Sequence, residues 1–215
     1  MSTASTISAR HASTEDRRPT KHQVKTRETR HALLRSARLR FVRDGFQACR
    51  IEDIAADAGY TRGAFYANFA SKEELFFALM QQEADRHASR IRNILREHPN
   101  AQGRLAAIRA YYVNSVADRD WSMLTLEFKL LAIRQPKLRP AFADKFRAIR
   151  ASMKFEGMEK MFGVTHPRES THAVLEGLVA ALVLEHAFDP RRVPKAEAST
   201  LLRNVFDMLI CDIHP

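Results

Sequence analysis

Two cysteines, Cys49 and Cys211, are the whole thiol content of this 215-residue chain, and neither stands in a Cys-x-x-Cys spacing. That scarcity excludes a disulfide framework and implies a reducing, cytoplasmic setting. The nine histidines are scattered, with no His-Glu-x-x-His and no Cys-His spacing, so no metal site is expected. There is no Walker loop, dinucleotide fingerprint or Gly-x-Ser-x-Gly elbow, which removes the common signatures of an enzyme and of a bound cofactor. The longest apolar stretch, Gly177 to Leu184, is eight residues, against the roughly 18 that a membrane helix needs. Glycine is scarce at seven residues, period-two alternation is missing and no segment repeats, so strands are not expected and the fold class is all-α.

What the chain does have is positive charge. The formal net charge is +10, about half of it within the first 80 residues, and such an excess implies a polyanionic partner, with nucleic acid first in line. Residues 1–26 are rich in Ser, Thr, Arg and Lys but lack the apolar centre of a signal peptide, and read as a flexible basic arm. Arg17, Arg18, Lys21 and Lys25 either remain solvated or trail along phosphates and into a minor groove.

The most informative stretch is Arg50 to Leu75, RIEDIAADAGYTRGAFYANFASKEEL. Ile51, Ile54, Ala55 and Ala58 share one face of a short helix, and Gly59 supplies the positive φ of a sharp turn. Thr61 is placed to cap a second helix, Arg62 to about Phe69, whose Phe65 and Phe69 point inward and whose Arg62, Gly63, Tyr66 and Asn68 are left outside. Ser71 and Glu74 form a capping box that opens a third helix at Lys72. Two short helices around a glycine turn are the pattern of a helix-turn-helix DNA reader over 50–69.

Gly45-Phe46, Asp53-Ile54-Ala55, Gly59-Tyr60-Thr61-Arg62-Gly63-Ala64-Phe65-Tyr66 and Phe69-x-Ser71-Lys72-Glu73-x-Leu75 resemble the N-terminal signature of the tetracycline-repressor (TetR) family over about Arg27 to His87. The resemblance implies a homodimeric, all-helical bacterial transcription regulator with a DNA-binding domain at 27–87 and a ligand-binding and dimerisation domain at 88–215. It also implies the partners: a double-stranded operator, a second copy of the chain and a small-molecule effector. The expected mode is a repressor released from a palindromic operator by its ligand, with an activator or protein-sensing regulator as the alternative. Cys49-Arg50 departs from the family, which usually has two hydroxyl residues here, the second capping the helix before Gly59. Arg50 lacks that cap and is instead suited to a phosphate. Arg62 is the leading candidate for a guanine edge or a phosphate clamp. Gly63 and Ala64 allow close approach of the backbone, and Ala64 suits a thymine methyl. Tyr66, Asn68 and Lys72 resemble the family's phosphate-positioning residues, and Tyr60 suits a phosphate or sugar.

A first helix is expected from about Thr26 to Asp44, ended by Gly45, and a long one from Ser71 to about His98, where Pro99-Asn100 breaks it. Further helices are expected over about Ala101–Ala117, Trp121–Arg134, Lys137–Met161, Pro167–His186 and Pro194–Ile213. In the family the last two are the dimerisation element. Leu175, Leu178, Val179, Leu182 and Val183 make the first of these apolar nearly all round, and Leu201, Leu202, Val205, Leu209 and Ile210 stripe the second. Tyr111, Tyr112, Trp121, Met123, Glu127, Phe128, Met158, His172 and Glu176 are the residue types that line an amphipathic small-molecule cavity, or else pack a core. His172 and Glu176, one helical turn apart, suit either a ligand or a dimer seam.

Overall fold

Thr20, the first residue described, forms a capping box: its hydroxyl accepts the Gln23 N–H and the Gln23 side chain accepts the Thr20 N–H. The computed structural model describes residues 20–114, 119–152 and 169–210. Among them are nine helices and no strand: α1 Lys21–Asp44, α2 Ile51–Asp57, α3 Arg62–Tyr66, α4 Lys72–Glu97, α5 Ala101–Asn114, α6 Arg119–Arg134, α7 Arg139–Ser152, α8 Glu169–Phe188 and α9 Lys195–Ile210. None of these helices is long and apolar enough to cross a membrane.

Helix α1 starts five residues before the expected Thr26, because the Thr20 capping box nucleates it there; Lys21 and Lys25 therefore sit on its exposed first two turns. Arg17, Arg18, Met158 and Cys211 lie outside the described residues, as do the side chains of His172, Leu209 and Ile210. Gly45 ends α1 at φ +79°, its N–H bonded to the Phe41 carbonyl. Helix α3 stops at Tyr66 and not near Phe69, since the Asn68 amide donates to the Ala64 carbonyl and the chain turns, while Phe69 remains buried. Ser71 caps α4 through the Glu74 N–H, but Glu74 returns to the Ala70 N–H, one residue before the cap.

Two cores organise the helices. The first joins Leu33, Ala37 and Phe41 of α1, Ile54 of α2, Phe65 of α3 and Leu75, Phe76 and Leu79 of α4 to Leu124 and Phe128 of α6 and Phe142 and Ile149 of α7. The second joins Ile91 of α4 and Ile108 of α5 to Leu175 and Val183 of α8 and Ala198, Leu202 and Phe206 of α9. The boundary expected at 87/88 is therefore not where packing divides the chain. Helices α6 and α7 share the core of the N-terminal helices, and α4 runs through both cores.

Phe128 is the keystone of the first core: fully buried, stacked on Phe76 at 3.9 Å between ring centroids and edge-on to Phe46 at 5.0 Å and Phe77 at 5.3 Å. The sequence offered it either to a cavity wall or to a core, and it packs the core: its ring is enclosed by aromatic residues of α4, the α1–α2 loop and α7. Phe128→Ala should destabilise the chain by about 3–5 kcal/mol, read as a lowered urea midpoint, because the void opens at a junction between helices that cannot all collapse into it.

Candidate nucleic-acid interface and internal cavity

Two short helices around Gly59 form the reader. Gly59, at φ +77°, turns the chain after α2, and the Tyr60 N–H bonds to the Ala55 carbonyl at 2.8 Å. Thr61 caps α3 by accepting the Ala64 N–H at 3.2 Å. Arg50, at the N-cap of α2, makes no side-chain cap, and Glu52 and Asp53 in the first turn offset the helix dipole instead. Three ties from α1 hold the pair in place. Ser36 donates to the Ile54 carbonyl at 2.8 Å in a buried position. Arg40 grips both carboxylate oxygens of Asp57, which holds that carboxyl below its usual range and the guanidinium above its own. Arg30 donates to the Asn68 carbonyl at 3.0 Å and lies over the Phe69 ring.

Of the residues singled out for DNA, Arg50, Thr61, Arg62, Gly63 and Tyr66 are exposed, and Tyr60 and Ala64 are half-buried. Arg62 is not idle: it pairs with Glu52 across the turn at 2.9 Å and leans on Tyr66. A Cβ added at Gly63 would meet only Thr61 Oγ1 at 3.7 Å, so nothing inside the chain demands glycine there. Asn68 and Lys72 depart from expectation. The Asn68 amide is spent on Ala64, and Lys72 Nζ donates to the carbonyls of Phe46 at 2.8 Å, Gln47 at 3.2 Å and Cys49 at 2.8 Å while lying over the Phe46 ring. All three ammonium hydrogens are thus used to hold the α1–α2 loop, so the side chain acts on the fold where a phosphate contact was expected. Cys49, beside this clamp, is buried, and burial pushes its thiol up to about 11, far from the thiolate form at neutral pH.

Glu127 works on the same loop from the other side. It accepts the Gln47 N–H at 3.3 Å, and its carboxylate lies where a Cβ on Gly45 would come within 3.0 Å of Oε1. Gly45 is therefore required both by its φ and by Glu127. Glu127 was a candidate for a ligand site and instead ties α6 to the α1–α2 loop. Met123 is partly exposed and does not line the cavity.

That cavity, about 350 Å³, lies between the two cores. Tyr111 and Tyr112 of α5, Trp121 of α6 and Glu176 of α8, all among the residues that the sequence offered for a cavity, line it. Sequence reasoning missed Arg38 of α1, Glu83 and His87 of α4, Thr125 and Lys129 of α6 and Arg150 of α7. These polar and charged groups come from four different helices, and no local spacing announces their convergence. Arg38 pairs with Glu83 and sits 5.8 Å from the Trp121 ring; Arg150 pairs with Glu176; His87 Nδ1 meets the Tyr111 hydroxyl at 2.7 Å. Among the described residues no group of three His, Cys, Asp or Glu is placed to hold a metal ion.

Residues 33–79 match the model of the bacterial regulatory proteins of the tetR family. The HTH-type transcriptional activator FasR of Mycolicibacterium smegmatis is 36% identical over 86 residues, 40% of this chain and 39% of that protein. The HTH-type transcriptional repressor AcnR of Corynebacterium efficiens is 24% identical over 116 residues, 54% of this chain and 57% of that protein. The chain thus spans between two-fifths and three-fifths of these relatives' length. A putative TetR-family regulator from Rhodococcus sp. shares the fold at TM-score 0.66 and 20% identity, covering 86% of this chain and 99% of its own.

Lys72→Met should lower the thermal midpoint, with about 1–3 kcal/mol lost for the orphaned loop carbonyls, and leave the salt dependence of DNA binding unchanged. A phosphate contact would instead reduce the log–log salt slope by about one. Glu52→Gln should raise affinity for every duplex, most at low salt, because it frees Arg62 and removes a negative charge beside the reading helix; fluorescence anisotropy at two salt concentrations checks it.

Proposed function

We propose, for a chain that belongs to the tetR family of bacterial regulatory proteins through its helix-turn-helix, that it is a cytoplasmic homodimeric repressor released from a palindromic operator by a small molecule held in the internal cavity. The DNA-reading half rests on α3, with Arg62, Gly63, Ala64 and Tyr66 facing outward at the end of a preformed turn. Its helix enters the major groove, and the exposed arginines Arg50 and Arg62 lie ready for phosphate or base edges.

The observation that carries the ligand-responsive half is the course of α4. Its first residue, Lys72, clamps the α1–α2 loop, and two to five turns later Met80, Glu83, Ala84, His87 and Arg90 line the cavity. Arg38 of α1 lines it too, so the helix to which the reader is tied forms part of the cavity wall. A molecule that wedges α4 from α6, or competes for Arg38, moves the reading helix. Helices α8 and α9 supply the dimer surface. Val174, Leu184 and Phe188 are exposed on one stripe of α8, and Leu201 and Met208 on one of α9, while the opposite sides of both helices pack inward. A two-fold axis makes such a patch complementary to itself.

The sign of regulation is separable from DNA binding, since the matched relatives include one named an activator and one named a repressor. Selection of the full-length protein on random-sequence duplexes should return a palindrome whose half-sites are roughly one helical turn apart or modestly more. A reporter driven through that site should fall when the protein is expressed. Leu184→Glu with Met208→Glu should give a monomer by light scattering, with helical circular dichroism retained and operator affinity lost. Selection of a single unrepeated half-site would overturn the dimer reading, and a reporter that rises would replace the repressor with an activator.

A further inference from the structure

The cavity has a charge imbalance that its ion pairs do not remove. Glu83 is taken by Arg38 and Arg86, and Glu176 by Arg150. Arg90 stands exposed at the cavity's edge, and Lys129 remains, a half-buried ammonium in the cavity wall with no hydrogen-bond partner among the described residues. Burial lowers its pKa more than nearby Glu176 raises it, and Arg150 lowers it further, so the charge is held at a cost in this setting.

One turn earlier on the same face of α6 is Thr125. Its hydroxyl oxygen is buried, lines the cavity and has no hydrogen-bond partner among the described residues. Thr26, Thr29 and Thr200 show what a helical threonine ordinarily does: each donates to the carbonyl four residues back, at 3.0, 2.9 and 2.9 Å. Thr125 makes no such bond, and an unspent buried hydroxyl one helical turn from a half-buried ammonium without an ion pair is costly unless a third group joins them. The ammonium can only donate and the hydroxyl can donate as well as accept, so one acceptor serves both, and the positive excess of the cavity lining favours an acceptor with negative charge. Around them, Tyr111, Trp121, Leu126, Phe146 and Val179 provide an apolar and aromatic surface for the rest of the molecule.

We propose that the cavity takes a small amphipathic organic carboxylate, whose carboxylate accepts hydrogen bonds from Lys129 Nζ and Thr125 Oγ1 and whose aromatic or aliphatic body lies against the Tyr111–Trp121–Phe146 wall. This assignment rests on the reading of the cavity as the effector site. A bidentate acceptor satisfies both donors at once, and its charge restores balance next to the Arg150–Glu176 pair. A cationic ligand meets the reverse arrangement: both cavity acids are already paired, and Lys129 repels it.

Trp121 is the single tryptophan of the chain and lines the cavity, so its fluorescence reports binding to the full-length protein. Three probes of matched shape, phenylbutanoate, phenylbutanamide and phenylbutylammonium, differ only in the head group. Phenylbutanoate should bind about tenfold or more tightly than the amide, and the ammonium should bind weakest. In Lys129→Met and in Thr125→Val the gap between carboxylate and amide should shrink, whereas Lys129→Arg should keep it. The ratio of two affinities on one variant is insensitive to modest changes in stability, and Thr125→Val gives a second reading should Lys129→Met fold poorly. Equal or tighter binding of the amide, no quenching by any of the three, or a carboxylate preference that survives Lys129→Met overturns the proposal. Operator affinity measured with the same probes separates it from the effector reading. Carboxylate binding that leaves operator affinity unchanged keeps the anion site and removes ligand release, and release by the amide alone does the reverse.

Discussion

Six residues between α1 and α2, Gly45 to Arg50, are held from two sides, and the placement of everything N-terminal depends on that grip. Lys72 takes three of the loop's carbonyls, Glu127 takes one of its N–H groups, and Phe46 inserts its ring among Phe41, Phe76 and Phe128. A loop of this length carries backbone polar groups that water would otherwise satisfy. Here they are satisfied by a cation from α4 and an anion from α6, so the loop reports the relative position of those two helices to α2 and thence to α3.

This arrangement offers the proposed coupling a physical route. The cavity opens between α4 and α6, whose separation also determines whether Lys72 and Glu127 reach the loop together. Any ligand that prefers one spacing of the two helices changes the reader's geometry by no more than its own preference between the forms; linkage ties the two affinities reciprocally. The interlocked phenylalanines make the junction stiff, and close-packed interiors shift between discrete packings more readily than they deform continuously.

The reader's surface is tuned as well as presented. Arg62 is shared with Glu52 and Tyr66, and Arg40 is committed to Asp57, so much of the positive charge near the turn holds structure in place before it meets a polyanion. Asp57 sits at the C-terminal end of α2, where the dipole disfavours a carboxylate; Arg40 offsets that and pins α2 to α1. Net charge alone therefore says little about where DNA lies, and the exposed faces of α3 and of the Arg50 N-cap say more.

Chain-local features were legible in the residues alone, because each depends on partners within a few positions. The Gly59 turn, the Thr61 cap, the inward Phe65 and Phe69, the missing cap at Arg50 and the helix ends at Gly45 and Pro99 all follow from backbone hydrogen bonding and a period of 3.6. Four of the nine residues that residue type offered for a cavity, Tyr111, Tyr112, Trp121 and Glu176, do line one. Tertiary structure alone decided that Lys72 turns inward, that Glu127 and Phe128 bind the halves of the molecule together, and that Thr125, Lys129 and Arg38 meet around one cavity. A lysine, a glutamate and a phenylalanine carry no mark of which carbonyl, amide or ring they will face when that partner lies tens of residues away. Their roles are decided only when the helices close on one another.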